Sequence, residues 1–386
     1  MEHIIIAAGA LTAAVWVYLL AFRGTFWRIE RDEHPAMAAP ARSVVAVIPA
    51  RDEAEVIGGA VTSLLAQDYA GRLDIVIVDD HSTDGTAQIA RDAAAGAGAA
   101  GRVTVIEATP VPAGWTGKLW AVRQGTALAA DRRPDYLLLT DADIVHASDN
   151  LRCLIARAES GGFDLVSLMV RLHCRGLWER LLVPAFVFFF FKLYPPRWVA
   201  DKERGIAAAA GGCMLLRGGV LQRIGGVDSI RDEIIDDCAL ARRVKTVGRV
   251  WLGIADETRS VRPYGSWRPL WDMISRCAFA QLNYSAGILV MLMVGMAITY
   301  LAPPLLVLLS LLSHSPLAMA LGGVAWLAMA ASFVPILKVY RCTPLVALLL
   351  PVIAAFYMAA TLGSAVQFWR GRGGAWKGRY QAAAVR

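Results

Sequence analysis

A chain of 386 residues can hold one or two domains with full cores, but 56% hydrophobic content and a mean hydropathy of +0.48 exceed what a purely soluble enzyme carries. The net charge of +7 does not mark a nucleic-acid partner, because all eight charged residues from Met273 onward are basic and the rest of the chain is close to neutral. The basicity flanks apolar segments, so membrane lipids are expected as partners and no nucleic acid is.

Residues Ile4 to Phe22 form an apolar stretch of about membrane-spanning length, followed by Arg23, Arg28 and Arg31. It lacks a positively charged start and a small-residue cleavage site, so residues 1–24 read as a retained anchor. Residues 25–42, rich in Pro, Ala and charge, read as a linker. Strands and helices then alternate. Val44–Ile48 is a strand, and Glu53–Gln67 is a helix with apolar residues at Val56, Ala60 and Leu64. Leu73–Val78 is a second strand, with Ser82-Thr83 expected to cap a helix over Thr83–Ala95. Val103–Glu107 is a third strand, Leu119–Ala130 a helix, and Tyr136–Thr140 a fourth strand. Phe163–Val170 and Arg249–Ile254 are further strands around a more irregular middle. This alternation predicts an α/β domain over residues 43–284, built on a parallel sheet with right-handed crossovers.

The letters of Gly96-Ala97-Gly98-Ala99-Ala100-Gly101 match G-x-G-x-x-G. They follow a helix and precede a strand, the reverse of a dinucleotide fingerprint, so they read as a loop. Six scattered cysteines with no C-x-x-C pair read as reduced thiols, and six dispersed histidines as structural or surface residues. Leu181–Phe191 carries five phenylalanines and is too short to cross a bilayer. Residues 181–198 therefore read either as a membrane-surface segment guiding a lipid or as a helix docked against the membrane helices. Ser285–Leu312, interrupted by Pro303-Pro304, Pro316–Leu337 and Pro344–Val366 are each long enough to span, giving transmembrane helices over 285–366 and a basic tail over 367–386. The arginines after the first stretch put the main domain in the cytosol, on a multi-pass membrane chain. Three further spans would carry the basic tail to the far side, so its side stays open.

Asp141 and Asp143 stand at the mouth of the fourth strand. Ligands of an open α/β sheet bind outside the carboxyl ends of its strands. Two hard carboxylates on so short a segment suit Mg²⁺ or Mn²⁺ shared with a substrate diphosphate, although Asp also closes ordinary turns there. Asp79 and Asp80 end the second strand and would line the same crevice, where they can accept hydrogen bonds from a nucleobase or ribose. Between Asp232 and Asp237 lie four carboxylates at the start of a helix, more than capping needs, so one can act as a general base. Lys118, just ahead of a helix, reaches either a phosphate or solvent.

Together these residues resemble a family-2 glycosyltransferase of the GT-A fold. The matching elements are Val47-Ile48-Pro49-Ala50-Arg51-Asp52-Glu53, Val78-Asp79-Asp80-His81-Ser82-Thr83-Asp84-Gly85-Thr86 and Thr140-Asp141-Ala142-Asp143, followed by Gly211-Gly212-Cys213-Met214-Leu215-Leu216-Arg217, Gly225-Gly226 and Ile235-Asp236-Asp237. The resemblance covers about residues 43 to 255. The membrane layout, Trp115-Thr116-Gly117-Lys118-Leu119-Trp120 and Trp369-Arg370-Gly371-Arg372 look closest to the hopanoid-biosynthesis-associated glycosyltransferases. The resemblance implies a mixed, mainly parallel sheet and a nucleotide-sugar donor, with UDP favoured. It also implies a divalent metal, a lipid acceptor and a role in hopanoid metabolism. Pro49, Glu53 and Asp79 or Asp80 would hold the nucleobase and ribose. Asp141 would contact the nucleotide and Asp143 the metal, with Asp141 assisting. Gly211 and Gly212 would allow close approach of sugar or acceptor, and Asp237 would be the base of an inverting displacement.

One departure bears on the substrate. Membrane-bound relatives often carry Q-x-x-R-W after the base, and this chain has Tyr264-Gly265-Ser266-Trp267-Arg268-Pro269-Leu270-Trp271 instead. Arg268 and Trp271 could supply the same cation and aromatic, or anchor an interfacial helix. The missing motif favours transfer of one sugar to a lipid over a processive polysaccharide synthase. A non-enzymatic scaffold or transporter ranks lower, because the spans carry almost no paired charges.

Overall fold

The computed structural model describes residues 2–29 and 39–371, together with the backbone at 375–376 and 379–380. The linker expected over 25–42 and the basic tail over 367–386 therefore lie partly outside the described residues. Two compact units divide the chain: residues 39–173 with 198–263, and residues 2–29 with 174–197 and 264–371.

The first unit is an α/β domain. Its strands are β1 (Val44–Ala50), β2 (Leu73–Asp79), β3 (Val103–Glu107), β4 (Tyr136–Thr140), β5 (Ile144–Val145), β6 (Leu165–Arg171), β7 (Cys213–Arg217) and β8 (Val250–Ser260). They form one eight-stranded sheet in the order β3-β2-β1-β4-β7-β6-β8-β5. The strands β1 to β4 are parallel, with Ala50 opposite Asp79, so the carboxyl ends of β1, β2 and β4 share one edge. β7 enters antiparallel between β4 and β6, pairing Cys213 with Thr140. β6 and β8 are parallel again. The near-continuous apolar runs of β1, β2 and β4 are buried, as central strands covered on both faces must be.

The helix Gly117–Ala130 lies close against β1, because a Cβ at Gly125 would come within 2.5 Å of Val47 Cγ1. That close seat aims the first turn of the helix, with Lys118, at the carboxyl edge. Behind the edge, Thr140 Oγ1 and Asn150 Nδ2 each lie 3.0 Å from a ring nitrogen of His146. Burial pushes His146 down to about 4, so it is neutral and structural.

Two expectations need correction here. Neither Ser82 nor Thr83 caps the second helix, which spans Thr86–Gly96 with Gly85 in the left-handed region at the N-cap. Ser82 instead donates to Asp79, and Asp84 takes the Thr86 N–H at 3.0 Å. The strand β7 replaces what the sequence offered only as a glycine motif. The loop reading of Gly96–Gly101 is what the structure contains, with a 3₁₀ turn at Ala100–Arg102 leading into β3.

The second unit is helical. Glu2–Phe22, Ala286–Ser313, Pro316–Val339 and Pro344–Trp369 are long and apolar enough to cross a membrane. Large apolar side chains such as Leu312 and Ile4 stand 80% and 74% exposed, a surface that lipid would cover. Pro303-Pro304 does not interrupt its helix. A π turn over Ala297–Leu301 carries the chain into the prolines, and Trp16 Nε1 donates to the Thr299 carbonyl at 2.8 Å, replacing the N–H that Pro303 lacks. Leu177–Leu193 forms a helix of this unit, with Phe188 and Phe191 fully buried and Phe188 edge-on to Phe333 at 5.2 Å. That contact packs the segment against another apolar helix of the same unit. The α/β unit runs to Pro263, and the helix Trp267–Cys277 groups with the helical unit.

Candidate active site

The carboxyl edge of the sheet in the α/β unit gathers the acidic residues that the sequence spread over almost 160 positions. Lys118 is the hub. Its Nζ lies 3.0 Å from Asp141 Oδ1 at the end of β4, and 3.3 Å from Asp236 Oδ2 at the start of the helix Asp236–Lys245. Burial draws the Lys118 ammonium down, but Asp141, Asp236 and Asp237 outweigh it and raise its pKa, so it stays charged. Thr116 fixes the turn by accepting the Leu119 N–H with its hydroxyl at 3.2 Å. A cleft opens here, lined by Pro49, Lys118, Asp141, Gly211 and Asp236 among others.

Asp237 sits on the first turn of its helix, beside Asp236. Its Oδ2 accepts the Gly211 N–H at 2.9 Å, and its Oδ1 the Cys238 N–H at 2.7 Å. Burial and then the Asp236 carboxylate raise it to about 6, while Lys118 and the two backbone N–H groups pull the other way. A group so tuned is ionised at neutral pH and still basic enough to take a proton. A Cβ at Gly211 would lie 3.5 Å from both Asp237 Oδ2 and Lys118 Nζ, so this glycine keeps the space between the two open. Gly212 does not share that role. It packs inward, where a Cβ would come within 2.9 Å of Val170 Cγ2, and its carbonyl accepts from Thr140 Oγ1 at 2.7 Å.

The second carboxylate of the β4 loop looks elsewhere. Asp143 Oδ2 accepts from Ser260 Oγ at 2.8 Å and from Arg262 Nε at 3.3 Å, while the Arg262 guanidinium also bonds Glu53. Neither Ser260, the last residue of β8, nor Arg262 was singled out in the sequence, where the polar stretch after the expected strand Arg249–Ile254 gave no signal for them. At the end of β2, Asp79 accepts from Ser82 and Asp80 pairs with Arg51 at 3.3 Å. Arg268 and Trp271 belong to the helical unit, where Trp271 meets Phe356 edge-on at 5.4 Å and Arg268 is exposed.

Residues 45–225 match the model of glycosyl transferase family 2. No curated protein matches the chain. The structure is similar to that of the mannosyltransferase PcManGT from Pyrobaculum calidifontis, solved with GDP-Man and Mn²⁺. That likeness has a TM-score of 0.56 at 17% identity, covering 94% of this chain and 99% of the other. Looser likenesses, at TM-scores of 0.40 and 0.39, are to S. aureus TarS and to the Mycobacterium tuberculosis glucosyl-3-phosphoglycerate synthase solved with Mn²⁺ and UDP-Glc. They have 15% and 17% identity, cover 62% and 65% of this chain, and span 40% and 84% of those proteins.

Proposed function

We propose that this chain, whose residues 45–225 match the model of glycosyl transferase family 2, is a glycosyltransferase that moves one sugar from a nucleotide-sugar donor to a lipid acceptor at a membrane. The observation that carries this reading is the meeting of Asp141, Asp236 and Asp237 around Lys118 at the carboxyl edge of the sheet, in a chain with four membrane-length helices among its described residues. Pro49, Glu53, Asp79 and Asp80 cluster at the neighbouring ends of β1 and β2, where a nucleobase and ribose would lie. Lys118 supplies fixed positive charge for the donor's diphosphate.

Asp141 and Asp143 suit a divalent metal. Both offer hard oxygens, and each already balances a cation, Lys118 and Arg262 respectively. Among the described residues no three His, Cys, Asp or Glu side chains form a ready cage. That accords with Mg²⁺ or Mn²⁺, which take one or two carboxylates and share their other positions with phosphates and water. When bound, the metal would offset diphosphate charge as the nucleotide leaves.

Asp237 takes the acceptor proton while the hydroxyl attacks the anomeric carbon, and the Gly211 N–H holds the carboxylate in place for it. A single displacement of this kind inverts the anomeric configuration. The absent Q-x-x-R-W string favours one sugar over a growing polymer. Hopanoid-type lipids are the first acceptors to try, on the sequence resemblance, and a bacterial-type inner membrane with a cytosolic α/β unit is the setting proposed.

The test is to incubate the purified full chain in native lipid with UDP- and GDP-sugars plus Mn²⁺ or Mg²⁺, and to weigh the lipids by mass spectrometry. A lipid heavier by one sugar is the expected product. A polymer would identify a processive synthase instead, and no sugar-bearing product from any donor would contradict the proposal.

A further inference from the structure

Arg262 ties the β4 loop to Glu53, at the start of the helix Ala54–Leu65. Its position is fixed by backbone pairing. Ile144 pairs with Ser260, the Val261 N–H donates to the Asp143 carbonyl at 3.0 Å, and the Arg262 N–H reaches Ser260 Oγ at 3.3 Å. From there the guanidinium spans two poorly exposed carboxylates, with Nε 3.3 Å from Asp143 Oδ2 and Nη2 on Glu53. Glu53 is set in turn by its own N–H, which donates to Thr86 Oγ1 at 2.8 Å. Two carboxylates converging on one point repel unless a cation lies between them, and a planar two-pronged guanidinium meets that demand well.

We propose that Arg262 is the resident occupant of the metal seat at Asp143, so that a divalent cation binds there only by displacing the guanidinium. This rests on the metal-dependent reading of Asp143 given above. The same Asp143 Oδ2 cannot serve both cations at full strength, so metal and guanidinium compete. A free chain without nucleotide is thereby self-neutralised and binds metal weakly. A donor diphosphate adds negative charge that can satisfy both cations at once, so metal and donor favour each other's binding. Arg262 acts here as a positioning and gating residue, through Asp143, and takes no part in proton transfer.

The test measures Mn²⁺ binding directly, from the electron paramagnetic resonance signal of free Mn²⁺, on the full-length protein in detergent without nucleotide. Arg262→Ala should bind Mn²⁺ about tenfold more tightly than wild type, the factor that loss of roughly 1.4 kcal/mol of competition gives. Arg262→Lys keeps the charge but cannot bridge both carboxylates, and should shift affinity in the same direction by a smaller factor. It also serves if the alanine variant fails to fold. Arg259→Ala removes an equal charge three residues away without freeing Asp143, and should leave Mn²⁺ affinity within about twofold of wild type. Equal Mn²⁺ binding by wild type and both Arg262 variants would overturn the inference and leave the metal reading standing. An Arg259→Ala effect as large as that of Arg262→Ala would reduce it to a diffuse charge effect and overturn it as well. No Mn²⁺ bound by any of these proteins, with or without UDP or GDP, would overturn the metal reading and this inference together.

Discussion

At the scale of single residues, charge balance decides what each carboxylate can do. Burial and Asp236 lift Asp237 to about 6, and Lys118 holds it from rising further. As a base it works only when ionised. The rate constant kcat/KM should therefore be flat above about pH 7 and fall about tenfold per pH unit below about 6 as the carboxylate takes up a proton. A pH–rate profile that stays level down to pH 4.5 would show that Asp237 is not the base. The positions of Asp141, Asp143, Asp237 and Lys118 by a strand end or a helix start were legible in the sequence, because such features are local and readable over a few residues. Arg262 was not, because its partners Asp143 and Glu53 lie 119 and 209 residues away. Gly211 and Gly212 entered together through the resemblance, and letters alone do not tell which of two neighbours faces the cleft.

At the scale of elements, the apolar strands and the membrane-length helices were plain from periodicity and length. β7 was not, since five residues running on from an alanine-rich stretch and a glycine pair give no period to read. Its antiparallel entry between β4 and β6 is what brings Gly211 beside Asp237. The pair Pro303-Pro304 misled in the other direction. Two prolines ordinarily end a helix, but in an apolar setting the freed carbonyls must find donors, and the π turn and Trp16 meet part of that need. Trp16→Phe keeps an aromatic ring but removes the N–H, leaving the Thr299 carbonyl without that partner. It should cost about 1–3 kcal/mol and lower the melting temperature in detergent. Adding Pro303→Ala, which restores a backbone N–H to that carbonyl, should recover part of the loss. A double variant no more stable than Trp16→Phe alone would contradict this account of the helix.

At the scale of the whole molecule, the chain passes from one unit to the other more than once, leaving the α/β unit after His173, returning at Trp198 and leaving again after Pro263. Hydropathy changes most sharply near residue 285, which is why the sequence set the boundary there. The two-faced helix Trp267–Cys277 carries no such signal, yet it groups with the apolar helices. The division joins, in one chain, a sheet edge where carboxylates gather around Lys118 and helices long and apolar enough to cross a bilayer. The proposal of lipid glycosylation draws on that pairing. Its centre remains the carboxylate poised beside Gly211, and the most direct measurement compares Asp237→Asn with the wild type for both sugar transfer and nucleotide binding. Transfer should fall by about 10²–10⁴-fold, the span that a general base contributes, while metal-dependent nucleotide binding is kept. Transfer at the wild-type rate by Asp237→Asn would contradict the account.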